Sequence, residues 1–275
     1  MIRLLRMKRL LLIWIAAFTS LLSPAAEKSF RPPAVPLVTH DPYFSIWSMA
    51  DHLTDEPTKH WTGTPQSLLG MVRIDGKTWR VMGVDPARSD ATEALPQTSV
   101  RVFPTRTVYQ FANDAVALTL EFVTPAFPDD LEILSRPATY IVWSLHARDG
   151  RDHDVSLYFD ASAELVVNTM DQLVQWSRFK LGDATVLRMG SRDQPVLQKS
   201  GDNLRIDWGY LYVAAPPGRG VRQAAVDRRA ARGAFLSTGR VPDSDNLNED
   251  RPARYRMPVL AWSFELGRVA AASML

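Results

Sequence analysis

Apolar and polar residues alternate with a period of two along most of the chain from Ala34 onward, and turn-forming dipeptides separate the alternating runs. Alternation of this kind is typical of strands that bury one face and expose the other. We therefore predict an all-β chain of many short strands. Their close spacing favours an antiparallel β-sandwich (supersandwich-like) made of two sheets.

The clearest local element is a hairpin centred on Asp75-Gly76, since this pair supplies the positive φ angles that a two-residue type I′ turn needs. The same reasoning predicts a second hairpin across Asn113-Asp114 and a third that joins residues 139–145 to 155–159. Further strands are predicted at residues 163–167, 173–180, 184–189, 196–199, 204–208, 210–214 and 258–266.

One segment lacks the alternation and has the composition of a helix. Residues 221–232 are rich in good helix formers, and Gly233 suits a C-cap. We predict one short surface helix near 221–233, with its arginines on a solvated face.

The first 26 residues form a segment of a different kind. Four basic residues precede an apolar run at 10–22, and small residues follow at Ser23-Pro24-Ala25-Ala26. This order is typical of a cleavable secretory signal peptide, and the apolar run is short for a membrane span of about 20 residues. An uncleaved anchor is the alternative. We predict a signal peptide at 1–26, a secreted or periplasmic β region at 27–275, and no stable membrane span after cleavage.

Composition narrows the classes of partner. The chain has no cysteine, so no disulfide can stabilise it and burial must do so, for which its 46% hydrophobic content is sufficient. Without the four basic residues of the predicted signal, 28 basic residues face 30 acidic ones. With no basic run left, nucleic acid is not an expected ligand.

Common catalytic signatures are absent from the sequence. It holds no G-x-S-x-G, H-E-x-x-H, P-loop or G-x-G-x-x-G motif, and its five histidines have no metal-ligand spacing. We therefore predict no metal and no cofactor, and the catalytic residues stay unknown.

Three aromatic segments carry the candidate binding chemistry, because each sets Tyr or Trp beside Asp or His near a strand end or in a loop. An aromatic ring beside a polar group can stack a sugar ring or pack another domain, whereas a Trp on a strand face is usually core. Both interpretations stay open for each. The candidates for ligand or domain contact are Asp41, Tyr43, Trp47, His60, Trp61, Asp207 and Trp208.

Long strings around these segments resemble one family. They are RPPAVPLVTHDPYFSIWS, HWTGTPQSLLGMVRIDGKTWRVMG, FPDDLEILSRPATYIVW, VSLYFDAS, DQPVLQKSGDNLRIDWGYLYVA and PVLAWSFELGRV. Together they run from about Arg31 to Val269 and resemble the N-terminal region of the glutaminase A family of secreted bacterial and fungal proteins.

The resemblance implies a β-sandwich region that a helical α/α-toroid region follows, with the catalytic groups in the helical part. It therefore implies that this chain is a non-catalytic N-terminal domain, truncated before its helical partner, inactive alone, and able to line the active site for a small-molecule or carbohydrate substrate. No catalytic residue carries over to this sequence. An independent carbohydrate- or peptide-binding module and a part of a glycoside hydrolase-like enzyme are the alternatives.

Overall fold

The computed structural model describes residues 31–84, 92–218, 220–246, 250–270 and 273–274. The predicted signal peptide at 1–26 lies outside these residues. No helix within the described ranges has the length and apolar character needed to cross a membrane.

The described part of the chain is mostly strand. It contains two α-helices, α1 (Leu131–Leu134) and α2 (Arg228–Thr238), and a 3₁₀ turn at Ala163–Val166. The strands are β1 (Val35–Asp41), β2 (Phe44–Ser48), β3 (Lys59–His60), β4 (Leu68–Ile74), β5 (Lys77–Met82), β6 (Gln97–Phe103), β7 (Arg106–Ala112), β8 (Val116–Val123), β9 (Tyr140–Ala147), β10 (His153–Ser162), β11 (Leu173–Leu181), β12 (Ala184–Ser191), β13 (Leu211–Ala215), β14 (Val221–Asp227), β15 (Arg251–Pro252), β16 (Pro258–Val269) and β17 (Ser273–Met274).

These strands form four antiparallel sheets in the described residues. Sheet I has the order β1-β2-β3, sheet II β14-β16-β10-β4-β5, sheet III β17-β9-β8-β7-β6 and sheet IV β13-β12-β11-β15. The prediction of a mostly β, antiparallel chain is confirmed. The strands divide among four small sheets instead of two, so the sandwich itself stays a prediction.

Sheet II, with β10 as its middle strand, is covered on both faces. On one face Tyr158 contacts Phe235 of α2, with ring centroids 5.1 Å apart. On the other face Gly70 of β4 makes room for Trp143 of sheet III, since an added Cβ would lie 2.8 Å from the Trp143 ring. A side chain at position 70 would therefore push the two sheets apart.

Two of the three predicted hairpins are confirmed. Asp75 and Gly76 have φ angles of 48° and 87° and join β4 to β5. Strands β7 and β8 pair across Asn113, whose side-chain oxygen accepts from the amides of Ala115 and Val116 at 3.0 and 2.9 Å.

The third predicted hairpin is wrong. Strand β9 pairs with β8 and β17 in sheet III, whereas β10 pairs with β4 and β16 in sheet II. Alternation identifies a strand but does not identify its partner, and a turn of five residues can lead into another sheet as well as back along the same one.

The helix is displaced from its predicted position at 221–233. Val221–Asp227 is the edge strand β14 of sheet II, and α2 begins only after Asp227, whose side chain caps it by accepting from the amide of Ala230 at 2.9 Å. Pairing with β16 buries Ala224, Ala225 and Val226, which overrides their helical propensity. The helix ends at Gly239, with φ 77°, instead of Gly233.

The predicted solvated arginine face of this helix is also wrong at one position. Arg232 is 2% exposed and its guanidinium contacts Asp160 of β10, with N–O distances of 2.7 and 3.0 Å. A helix packed on a sheet buries its facing side chains, and Arg232 faces the sheet.

Three predicted strands are not strands. Residues 163–167 contain the 3₁₀ turn, and residues 196–199 and 204–208 lie in one irregular connection, residues 192–210, between β12 and β13. Connections of this length without regular structure are uncommon in compact domains and are often functional.

Candidate functional site

The turn between β1 and β2 forms one side of the candidate site. One carboxylate oxygen of Asp41 accepts from the amides of Tyr43 and Phe44 at 2.7 and 3.1 Å, and this fixes the turn. The backbone carbonyl of Pro42 lies 3.0 Å from Nε2 of His60 and 2.6 Å from Nε1 of Trp61, which donates to it. The His60 and Trp61 rings therefore fix the position of the turn through the Pro42 carbonyl.

His60 has a defined protonation state in this arrangement. It is fully buried, and burial lowers the pKa of its imidazole, so the neutral form is favoured. With Nε2–H donated to the Pro42 carbonyl, Nδ1 is the acceptor and takes the Thr62 hydroxyl at 2.9 Å. Both ring nitrogens are thus engaged, and His60 has no nitrogen left to act as a general base.

The irregular connection at 192–210 forms the opposite side. The amide of Ile206 donates to the carbonyl of Tyr43 at 2.9 Å and joins this connection to the β1–β2 turn. Gln194 fixes the connection internally, because its side chain accepts from the amide of Gly209 at 2.7 Å and donates to the Gly209 carbonyl at 3.0 Å. The loop is therefore an ordered wall beside the turn.

Asp207 is the charged centre of this wall. Its side chain is 7% exposed, and Oδ2 accepts from Lys199 Nζ at 2.8 Å and from Gln172 Nε2 at 2.9 Å. Oδ1 has no hydrogen bond to any described residue, and the same holds for the Trp208 indole and the Tyr43 hydroxyl. These three groups, a carboxylate oxygen, an N–H donor and a hydroxyl, belong to residues that line the same depression.

A shallow depression that encloses about 20 Å³ opens between the turn and the connection. That volume is far below the range of small-molecule pockets, about 300 to 1,000 Å³, so the depression encloses no ligand by itself and suits only part of one wall of a site. The lining residues are Tyr43, Pro195, Leu197, Gln198, Lys199, Leu204, Arg205, Asp207 and Trp208.

The structure brings together six of the seven candidates predicted from the sequence. Tyr43, Asp207 and Trp208 line the depression. Asp41, His60 and Trp61 hold the β1–β2 turn that carries Tyr43. We call these six residues the loop cluster. Trp47 is separate: it lies further along β2, its indole donates to the Ser45 hydroxyl at 2.7 Å, and it does not line the depression.

Sequence reasoning missed the residues that organise the loop cluster. Gln172, Gln194 and Lys199 were not among the candidates, since an isolated Gln or Lys in a sequence gives no signal of its role. The length of the irregular run at 192–210 was the available signal, but two false strand predictions hid it.

Comparison with known proteins places both sides of the loop cluster in recognised sequence regions. The family described as Domain of unknown function (DUF5127) matches residues 105–275, which is more than half of the chain, and Domain of unknown function (DUF4964) matches residues 13–91. The chain belongs to the DUF5127 family. The DUF5127 region supplies Asp207 and Trp208, whereas Asp41, Tyr43, His60 and Trp61 come from the other matched region.

Two curated relatives match almost all of this DUF5127 chain. Glutaminase A of Aspergillus oryzae is 30% identical over 266 residues, which cover 94% of this chain and 37% of that protein. A protein of Arthroderma benhamiae named "Probable glutaminase" is 25% identical over 276 residues, which cover 92% of this chain and 30% of that protein. The chain spans about a third of the length of these relatives, and the resemblance to the glutaminase A family is confirmed.

Proposed function

We propose that this chain is the non-catalytic N-terminal region of an exported glutaminase A-like hydrolase, and that its loop cluster forms one wall of an active site completed by a helical α/α-toroid region. The observation that carries the proposal is that three candidate residues from two distant segments, Tyr43, Asp207 and Trp208, line one open depression. The coverage of the relatives supports it, because glutaminase A matches 94% of this chain with only 37% of its own length.

The chemistry of the loop cluster favours binding over catalysis. Hydrolysis of an amide needs a nucleophile and a base in hydrogen-bond reach of each other. His60 has both nitrogens engaged, and Asp207 is held by a lysine and a glutamine. The free groups, Asp207 Oδ1, the Tyr43 hydroxyl and the Trp208 indole, suit contact with a polar substrate or with the residues of another wall.

Two finer assignments belong to the same proposal. The packing of Trp143 from sheet III against Gly70 of sheet II supports an antiparallel β-sandwich as the overall arrangement. The basic and apolar pattern of residues 1–26 supports export to the periplasm or outside the cell.

The first experiment separates a non-catalytic region from an enzyme. Residues 27–275 are purified alone, and the same residues are joined to the part of Aspergillus oryzae glutaminase A that this chain does not match. We expect no glutamine hydrolysis from the chain alone and hydrolysis from the joined protein. Hydrolysis by the chain alone, or an inactive joined protein, would contradict the proposal.

Variants of the joined protein then test the wall. Tyr43→Ala removes an aromatic ring that is 37% exposed at the depression, and Tyr212→Ala in sheet IV removes one that is 53% exposed elsewhere. We expect Tyr43→Ala to lower kcat/KM for glutamine by about tenfold, which corresponds to the loss of one substrate contact, and Tyr212→Ala to leave it unchanged. Equal changes of kcat/KM in the two variants would contradict the proposal that the loop cluster forms a wall of the active site.

A second candidate function, an independent carbohydrate- or peptide-binding module, is favoured by one observation. Phe179 and Tyr212 of sheet IV and Tyr210, which directly precedes β13, form a row. The Tyr212 ring centroid lies 6.2 Å from that of Phe179 and 6.3 Å from that of Tyr210, and Arg188 stacks over Tyr210 at 4.4 Å. Exposed aromatic rows can stack sugar rings. Retention of the purified chain on insoluble polysaccharide, lost in Tyr212→Ala and kept in Trp61→Ala, would support this function; no retention contradicts it for carbohydrate.

A further inference from the structure

The connection between β8 and β9, residues 125–139, projects from sheet III as an ordered but uncovered segment, which we call the apolar arm. Phe127, Leu131 and Leu134 in it are 57%, 74% and 46% exposed. In the described structure, all hydrogen bonds of residues 127–138 join two members of the arm. Thr124 and Thr139 close its base, with their hydroxyls 2.7 Å apart.

This arm contains a helix that buries none of its side chains fully against the rest of the described structure. Helix α1 has four residues and none of them is buried, although Asp130 caps it by accepting from the amide of Ile133 at 3.0 Å. Helices this short are unstable in water unless tertiary packing supports them. Grouped apolar side chains on a surface mark an interaction site more often than a solvated one.

An open sheet edge lies beside the arm. Strand β9 has eight residues, and β17 pairs with two of them, Ser144 and Leu145. On that side of β9, the described residues provide no strand partner for the backbone from Tyr140 to Trp143, and Tyr140 is 60% exposed. An unpaired edge of this kind is a template for another strand.

The direction of β17 connects the two features. Because β17 runs antiparallel to β9, with Ser273 opposite Leu145 and Met274 opposite Ser144, the chain at Met274 is heading towards Tyr140. Ser144 and Tyr140 are four residue steps apart along β9, which is about 13 Å at the usual rise. The base of the arm is at that end of β9.

We propose that, in a glutaminase A-like protein whose chain continues beyond residue 275, the continuing chain pairs along the Tyr140–Trp143 edge of β9 and buries the apolar arm. This inference rests on the proposed function, because the proposed function includes the further region that the arm would contact. It adds a specific surface for that region, separate from the loop cluster.

The experiment compares the same substitutions in two proteins: residues 27–275 alone, and these residues joined to the unmatched part of Aspergillus oryzae glutaminase A. The substitutions are Leu131→Asp, Phe127→Asp and, as a matched control, Leu181→Asp at the end of β11, where the side chain is 70% exposed. Thermal midpoints are measured for every protein, together with glutamine hydrolysis.

We expect all three substitutions to shift the midpoint of the chain alone by less than about 2 °C, because they replace exposed side chains. In the joined protein Leu131→Asp and Phe127→Asp should lower the midpoint by about 5 °C, since a charge would then enter a buried contact, and Leu181→Asp should not. Equal shifts in the two proteins would overturn the inference.

The readouts distinguish the two failures. A joined protein that hydrolyses glutamine but shows no added sensitivity at the arm contradicts this inference and leaves the proposed function standing. An inactive joined protein that is still sensitive at the arm contradicts the proposed function and supports the arm contact. Dimerisation of the chain alone that Leu131→Asp abolishes would identify a second copy as the occupant and overturn the inference.

Discussion

Two carboxylate–cation pairs in this molecule differ in what surrounds them. Asp160 and Arg232 meet between sheet II and α2 at 2.7 Å, with side chains 0% and 3% exposed. Asp207 and Lys199 meet at the loop cluster at 2.8 Å, where the carboxylate is 7% exposed but the lysine is 42% exposed. The contact distances are nearly equal, and the main difference between the two pairs is how far the cation is exposed to solvent.

The difference indicates different roles. The Asp160 pair is closed by protein on every side and also accepts the Tyr158 hydroxyl at 2.8 Å, so it fixes α2 to the sheet. The Asp207 pair lines the depression, and its lysine is largely open to solvent. The enclosed pair therefore stabilises the fold, whereas the open pair belongs to a surface that can contact a ligand or another domain.

The largest effect should come from breaking the enclosed pair. We expect Arg232→Met to destabilise the chain by about 3 to 5 kcal/mol, because Asp160 is left as a buried charge without its cation. Urea unfolding of the variant and the parent measures the difference. The double variant Asp160→Leu with Arg232→Met is the control and should recover most of the lost stability. If Arg232→Met alone changes the free energy of unfolding by less than about 1 kcal/mol, as for a surface ion pair, the two pairs do not differ in the way described.

A smaller effect should follow from removing one hydroxyl at the same pair. Tyr158 is fully buried, burial raises the pKa of its phenol well above the usual value, and it therefore donates to Asp160 as a neutral group. We expect Tyr158→Phe to cost about 2 kcal/mol, the usual size for a hydrogen bond to a charged acceptor. The free energy of unfolding checks this, and an unchanged value would show that Asp160 needs only Arg232.

The open pair should matter little for stability. We expect Lys199→Met to change the free energy of unfolding by at most about 1 kcal/mol, because a half-exposed lysine is well screened by solvent. The same urea titration measures it, with Lys180→Met as a matched lysine outside the loop cluster. If Lys199→Met lost about 3 kcal/mol, the loop cluster would stabilise the fold, which would contradict its role as a contact surface.

The smallest effect at any single pH should come from His153, which is buried between two carboxylates. Hydrogen bonds to Asp75 at 2.6 Å and to Asp149 at 3.0 Å raise the pKa of His153 and lower the pKa of both carboxyls. A raised histidine pKa stabilises the fold below the ordinary value of 6.5, and this stabilisation is lost as pH rises through the folded pKa. The lowered Asp values stabilise it above 3.8 and fail as pH falls.

The measurement for His153 is the urea midpoint across the alkaline side of this window. We expect the parent to lose stability as pH rises above about 6.5 and His153→Gln to lose less. His60 has the opposite sign, because burial lowers the pKa of its ring, and its contribution is lost as pH falls. An identical pH profile for the parent and His153→Gln would contradict the assignment.

Local signals predicted local structure well. The Asp75-Gly76 hairpin follows from two residues whose backbone preferences are intrinsic. The helix followed the same kind of signal and was misplaced, since burial of Ala224 to Val226 beside β16 outweighs a propensity of less than about 1 kcal/mol per residue. Long-range pairing left no local mark, so the partner of β9 was predicted wrongly.

The candidate site shows the same division. Tyr43 and Trp208 were each identified from an aromatic residue beside an acidic one. They line one depression where a backbone hydrogen bond from Ile206 to Tyr43 joins segments more than 150 residues apart. A single sequence contains the types of the residues in a site, but their meeting is decided by topology.

The strand order of sheet II has a consequence for the timing of folding. Strand β16, at Pro258–Val269, lies between β14 and β10, while β4 on the other side of β10 begins at Leu68. The sheet cannot close until the chain has been synthesised as far as β16, and contacts this distant in sequence slow folding. Until then β10 has an apolar edge that invites aggregation. We therefore expect chains that end before Pro258 to depend on chaperones for solubility, however intact their loop cluster is in sequence.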